Sequence, residues 1–265
     1  MKQKKNELKK LYQEIKQTTT TMGLYSEHIP FEKIIEGFKD IEDEDCPDGI
    51  MLIDDTVYIL EHFMVSIYRK KSGEDTRQRA LTGKNDRYFK SCPNETTLTV
   101  ELKGSLKNLQ HAIEQSLSKH MESYPLYLKE AEKKHPGIPH KLIFVVEDQS
   151  ESIIEGLSIG LLGIYELVDA FLKYNSIDAV ICYNTSTRGN SILALDRKRM
   201  TDELENSVKI DNCTLSALID KVFIQKLNDS KWVNDSEWVR IKNYLMKCRE
   251  GFGLVESITI EKNGG

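Results

Sequence analysis

Two short runs constrain this chain most: KLIFVV at residues 141–146 and IDAVICY at residues 177–183. Each is almost continuously apolar. A strand with one wet face alternates apolar and polar residues, so an unbroken run marks burial on both faces. Strands of that kind lie inside a sheet that helices cover on both sides. Helical patterns are indeed plentiful. Leu8, Leu11, Tyr12 and Ile15 recur at helical spacing and predict a helix over 5–17, ended by the threonine run Thr18 to Thr21. Phe31, Ile34, Ile35, Phe38 and Ile41 predict a second. It must stop before Pro47, because the residue before a proline disfavours helical geometry. Further helices are expected over 105–134, with a break at Pro125, over 157–173, and near 213–227 and 236–249. Strands are expected at 49–53, 56–66, 97–103, 191–195 and 255–260. The alternation gives an α/β (α+β) class: a mixed central sheet flanked by helices. The expected organisation is an N-terminal helix in 1–30 and an α/β core over 31–200. A helical extension over 201–265, with a last strand, packs on that core.

The chain has 265 residues, of which 39% are hydrophobic, enough for a substantial core. A net charge of -5 gives no global pull toward nucleic acid. The five cysteines form no C-x-x-C pair, which argues against a zinc knuckle and for reduced thiols in a cytoplasmic setting. The opening MKQKKNELKK lacks the apolar stretch of a secretory signal. The most apolar run, Ile153 to Leu172, is interrupted by Glu155, Glu166, Asp169 and three glycines, so it reads as a buried helix and not a membrane span. No Gly-rich phosphate loop, dinucleotide fingerprint, H-E-x-x-H or nucleophile elbow is present.

One stretch asks for chemistry: CPDGIMLIDDTVYILEHF, residues 46–63. Asp54-Asp55 joins two strands as a hairpin. On the second strand Val57, Ile59, Glu61, Phe63 and Val65 share one face. Tyr58, Leu60, His62 and Met64 share the other. Both faces are largely apolar, so Glu61 must find donors, bind a metal or stay protonated. If the hairpin pairs, Asp48 and Glu61 meet near one end of the sheet. Two acids so placed suit Mg²⁺ or Mn²⁺, which take oxygen ligands.

The order helix, Pro47-Asp48, hairpin strand with Glu61, long helix, buried strand resembles the PD-(D/E)xK nuclease superfamily. LIFVVED (142–148) and IDAVIC (177–182) also look like the sheet of a bacterial and prophage group in it that carries a Glu-His-Phe strand signature. The resemblance covers roughly 30–200. It implies a restriction-endonuclease-like core, a metal held by Asp48 and Glu61, and hydrolysis of phosphodiester bonds in DNA. The motif also wants a lysine two residues after the acid, where this chain has Phe63. Four alternatives follow. Lys107 or Lys119 reaches in from the long helix. His62 serves, although it points to the other face. Glu101-Leu102-Lys103 is the true acid-x-lysine strand, with Glu61 in the aspartate's role. Or cutting has been lost, leaving a nuclease-like fold that binds nucleic acid or protein.

Between Arg69 and Lys90 the local charge inverts. Arg69, Lys70, Lys71, Arg77, Arg79, Lys84, Arg87 and Lys90 face only Glu74, Asp75 and Asp86. A basic loop after the Glu61 strand is what a phosphate backbone needs, and Tyr88 and Phe89 could stack on bases. Among other titratable groups, His111 and His120 fall on opposite sides of the long helix, and His120, near Tyr124, faces either the core or the site, with a satisfied helix histidine the preferred reading. Glu147-Asp148 reads as a strand-end pair.

Overall fold

The two unbroken apolar runs are neighbouring strands of a six-stranded sheet. The computed structural model describes residues 7–18, 20–42, 46–66, 68, 90–94, 96–104, 106–151, 163–186, 190–209 and 254–261. In chain order these form α1 (Glu7–Gln17), β1 (Thr20–Tyr25), α2 (Phe31–Gly37) with a 3₁₀ turn over Phe38–Asp40, β2 (Gly49–Ile53) and β3 (Thr56–Val65). Then come β4 (Thr97–Gly104), α3 (Leu106–Glu122), α4 (Tyr124–Lys134), β5 (His140–Glu151) and α5 (Gly163–Leu172). The order closes with β6 (Ile177–Ser186), β7 (Asn190–Asp196), α6 (Arg197–Lys209) and β8 (Leu254–Glu261).

The sheet runs β1-β7-β6-β5-β3-β2. β3, β5 and β6 are parallel, β2 returns antiparallel on β3, and β7 is antiparallel to β6. The class is therefore mixed α/β, as the sequence pattern implied. Two apolar layers cover the sheet. On one face Val57, Ile59, Phe63, Phe144 and Val146 pack against Leu109, Ile113 and Leu117 of α3, Tyr127 of α4 and Phe171 of α5. On the other, Tyr58, Leu60, Ile143 and Val145 meet Leu8, Leu11 and Ile15 of α1 and Ile34 and Ile35 of α2. A strand buried on both faces needs such a sandwich, and β3 and β5 have it.

Four details depart from the sequence reading. Thr20–Tyr25 is an edge strand paired parallel with β7, not the mere end of a helix. Its β-branched threonines suit an extended chain, but Gly23 and exposed Met22 and Tyr25 hide the alternation. The long helix breaks at Ser123, two residues before Pro125, because proline is accepted only in the first turn of the new helix. The second helix yields to a 3₁₀ turn at Phe38. Residues 197–209 form a helix that lacked a clear apolar stripe. The helices expected near 213–227 and 236–249 lie outside the described residues. No helix among the described residues is long and apolar enough to cross a membrane.

Cys182 lies wholly inside the sheet, where burial, with the Asp148 charge beside it, pushes its thiol well above the ordinary range. Cys46 and Cys92 are partly exposed. At pH 8 a thiol reagent should therefore label Cys46 and Cys92 in the native protein and leave Cys182 untouched, read by peptide mass spectrometry. Rapid labelling of Cys182 without denaturant would show that the sheet interior opens.

Candidate functional site: a carboxylate corner

The geometry follows from strand lengths. β2 has five residues and covers only the lower half of the ten-residue β3. The ladder ends at Gly49 opposite Leu60, so Asp48 comes to stand opposite Glu61. Beyond that point β3 has no backbone partner from β2, and side chains take over. The Asp48 N–H donates to Glu61 Oε2 at 3.2 Å, and the His62 N–H donates to Asp48 Oδ2 at 2.8 Å. This reciprocal pair locks the two acids together at the end of the hairpin.

Glu61 is 7% exposed and faces the α3–α4 layer. His120 Nδ1 of α3 lies 2.6 Å from Glu61 Oε1, and 3.3 Å from the Tyr127 hydroxyl of α4. Burial raises the Tyr127 phenol far above its usual range, and its hydrogen bond to the Glu61 carboxylate adds to this. Asp48 is half-buried. Burial, then the Glu61 charge, holds its carboxyl above the ordinary carboxylate range, against the pull of the His62 N–H. Phe63 points into the same layer at 6% exposure. It stacks on His120 at 5.6 Å between ring centroids and on Phe171 at 6.4 Å.

His62 projects through the sheet to the other face, as period-2 geometry required. There Nδ1 meets Glu7 of α1 at 2.9 Å and Nε2 meets Glu147 of β5 at 3.1 Å. Burial opposes protonation of this imidazole, but the two carboxylates outweigh it and raise its pKa to about 9. His62 therefore links three elements directly behind the Asp48–Glu61 pair.

Of the lysines expected nearby, Lys119 alone has a described side chain. Lys119 is exposed on α3, while the next residue, His120, turns inward to Glu61. β4, which carries Glu101 and Lys103, pairs antiparallel with β8 in a separate two-stranded sheet, with Lys103 opposite Val255. The side chains of Glu101, Lys103 and Lys107 lie outside the described residues. So do Arg69, Lys70, Lys71, Arg77, Arg79, Lys84 and Arg87. Lys90 is described and exposed. His111 sits by Glu114 at 4.0 Å, apart from His120. Asp148 is buried and accepts from the Asn184 amide at 2.7 Å.

Three participants escaped sequence reasoning in their roles. His120 read as an ordinary helix histidine. Glu7, within the expected helix over 5–17, carried no signal of its own. Tyr127 carried no signal beyond apolar spacing. Only His120 had a findable sign: a histidine on the inward stripe of a helix that follows an acid-bearing strand.

A divalent cation would suit the corner in one respect. Two adjacent carboxylates, one with its pKa raised by burial and then by the charge of the other, are relieved by a positive ion, and Mg²⁺ commonly uses one or two carboxylates with waters. Among the described residues no group of three or more His, Cys, Asp or Glu side chains is spaced to hold a metal, and the two that would hold such an ion are Asp48 and Glu61. Fold and corner together define a mixed α/β protein with a carboxylate pair backed by two histidines. The chain matches no protein-family model, no curated protein and no solved structure.

Proposed function

We propose that this is a cytoplasmic nuclease-like protein that hydrolyses phosphodiester bonds in DNA with Mg²⁺ or Mn²⁺ held by Asp48 and Glu61. The observation that carries the reading is the pair of hydrogen bonds from the Asp48 N–H to Glu61 and from the His62 N–H to Asp48, which fixes both carboxylates at one end of the hairpin. When bound, the ion would supply electrophilic stabilisation of a phosphoryl oxygen and help activate water. The chain's own groups set the stage. The Asp48 N–H, His120 and Tyr127 orient Glu61, and the His62 N–H orients Asp48. The basic segment from Arg69 to Lys90 would hold the phosphate backbone.

A second reading has its own observation. The side chain that meets Glu61 from α3 is His120, not a lysine, and the position two residues after Glu61 is Phe63, packed among aromatic rings. This favours a fold that binds nucleic acid or protein without cutting.

The test separates metal binding from chemistry. Purified protein and Asp48→Asn are incubated with plasmid, single-stranded DNA and RNA under Mg²⁺, Mn²⁺ or chelator. Mn²⁺ binding is measured in parallel by calorimetry. The nuclease reading expects cleavage of DNA that requires metal and falls by about a thousandfold or more in the variant. Metal-independent DNA binding with no cutting and no Mn²⁺ uptake would replace it with the second reading.

A further inference from the structure

A groove of about 580 Å³ follows the outer edge of β2, away from the acid pair. The α2 layer, with Lys33, Gly37 and Ile41, walls one side, and Lys134 and His135 at the end of α4 wall the other. β2 terminates the sheet. Its ladder with β3 decides which backbone groups face the groove. On β3 the His62 N–H points toward β2, since it donates to Asp48. The Val57 N–H points the other way, to the Pro139 carbonyl. The even positions of β3 are therefore those bonded to β2, and their partners are Gly49, Met51 and Ile53. Ile50 and Leu52 turn their amide and carbonyl groups outward. Leu52 is 45% exposed, and β2 itself contains neither a charge nor a proline to blunt the edge.

Charge selects the occupant. Asp54-Asp55 follows β2, both exposed, and Asp40 and Glu42 line the groove. The two lysines there are already engaged: Lys33 with Asp54 at 2.9 Å and Lys134 with Glu42 at 3.3 Å, a pair that joins the two walls. The rim is therefore acidic in balance. A second copy of β2 would bring an identical acidic rim, Asp40, Glu42 and Asp54-Asp55, against this one, and like charges opposed across a ladder destabilise it. Nucleic acid meets the same repulsion. We propose that the β2 edge captures an extended segment of another protein, apolar at its centre and bearing lysine or arginine at its ends, as an added strand.

The probe is a synthetic peptide of alternating valine and threonine with two lysines at each end, compared with one ending in glutamates. Calorimetry with the full chain should show the lysine-ended peptide binding at least about tenfold tighter. Leu52→Pro removes an outward amide without deleting a bond to β3, and should weaken binding about tenfold or more. Leu52→Thr, which keeps the amide, should bind within a few fold of the parent. Hydrogen exchange on the unaltered protein provides a readout independent of any variant: the bound peptide should protect the amides of Ile50 and Leu52. The proposal is overturned if neither peptide binds, if both bind equally, if Leu52→Pro binds like the parent, or if protection falls elsewhere.

Discussion

Phe63→Lys should destabilise the protein by about 3–5 kcal/mol instead of restoring a catalytic amine. The substitution places the missing motif lysine where the resemblance wants it. The site, however, is a packed one. Phe63 stacks on His120 and Phe171 and meets the edge of Phe144 at 5.8 Å. Removing the ring loses those contacts, and an ammonium introduced there would be desolvated with Glu61 already held by His120. Urea unfolding followed by circular dichroism measures the change. A variant as stable as its parent that gained metal-dependent cleavage would mean that the aromatic layer yields easily and that the corner awaited only a lysine.

The second large effect is pH-dependent. His62 is 4% exposed, with a pKa raised to about 9 by Glu147 and Glu7 acting against burial. Between pH 6.5 and 9 the folded chain thus keeps a proton that the unfolded chain releases. The resulting stabilisation is complete below pH 6.5 and is lost as pH rises through 9. Its full size is on the order of 3 kcal/mol, since one pKa unit is about 1.4 kcal/mol. Glu147→Gln should remove most of it, because Glu7 is the more exposed of the two partners. Unfolding curves at pH 6 and pH 9 for both proteins give the comparison. An unchanged slope in the variant would show that Glu147 does not hold the charge.

Much of the sheet was legible because burial writes directly into composition. Strands β5 and β6 could hardly be anything else, and the hairpin of β2 and β3 was marked by Asp54-Asp55. The left-handed backbone at Asp54, φ 51°, is one an aspartate tolerates. The Asp48–Glu61 encounter followed from pairing across that turn. What stayed hidden depends on distant partners. β1 is held by β7, and nothing local in TTMGLY announces that. The division of roles between His62 and His120 was half visible. Period 2 sent His62 to the far face, but helical spacing alone could not aim His120 at Glu61. Neither could it name Glu7 as the partner of His62, 55 residues further along the chain.

The pairing of β1 also sets an order of events during synthesis. Thr20 bonds alongside Asn190, so 170 residues separate the partners. At about 5–20 residues per second, β1 waits roughly 10–30 s on the ribosome before its template exists. Closing so long a loop carries an entropic penalty that grows only slowly with length, so the delay is kinetic more than energetic. During it Met22 and Leu24 remain available to any other strand edge. The N-terminal strand is among the first pieces made and among the last to find its place.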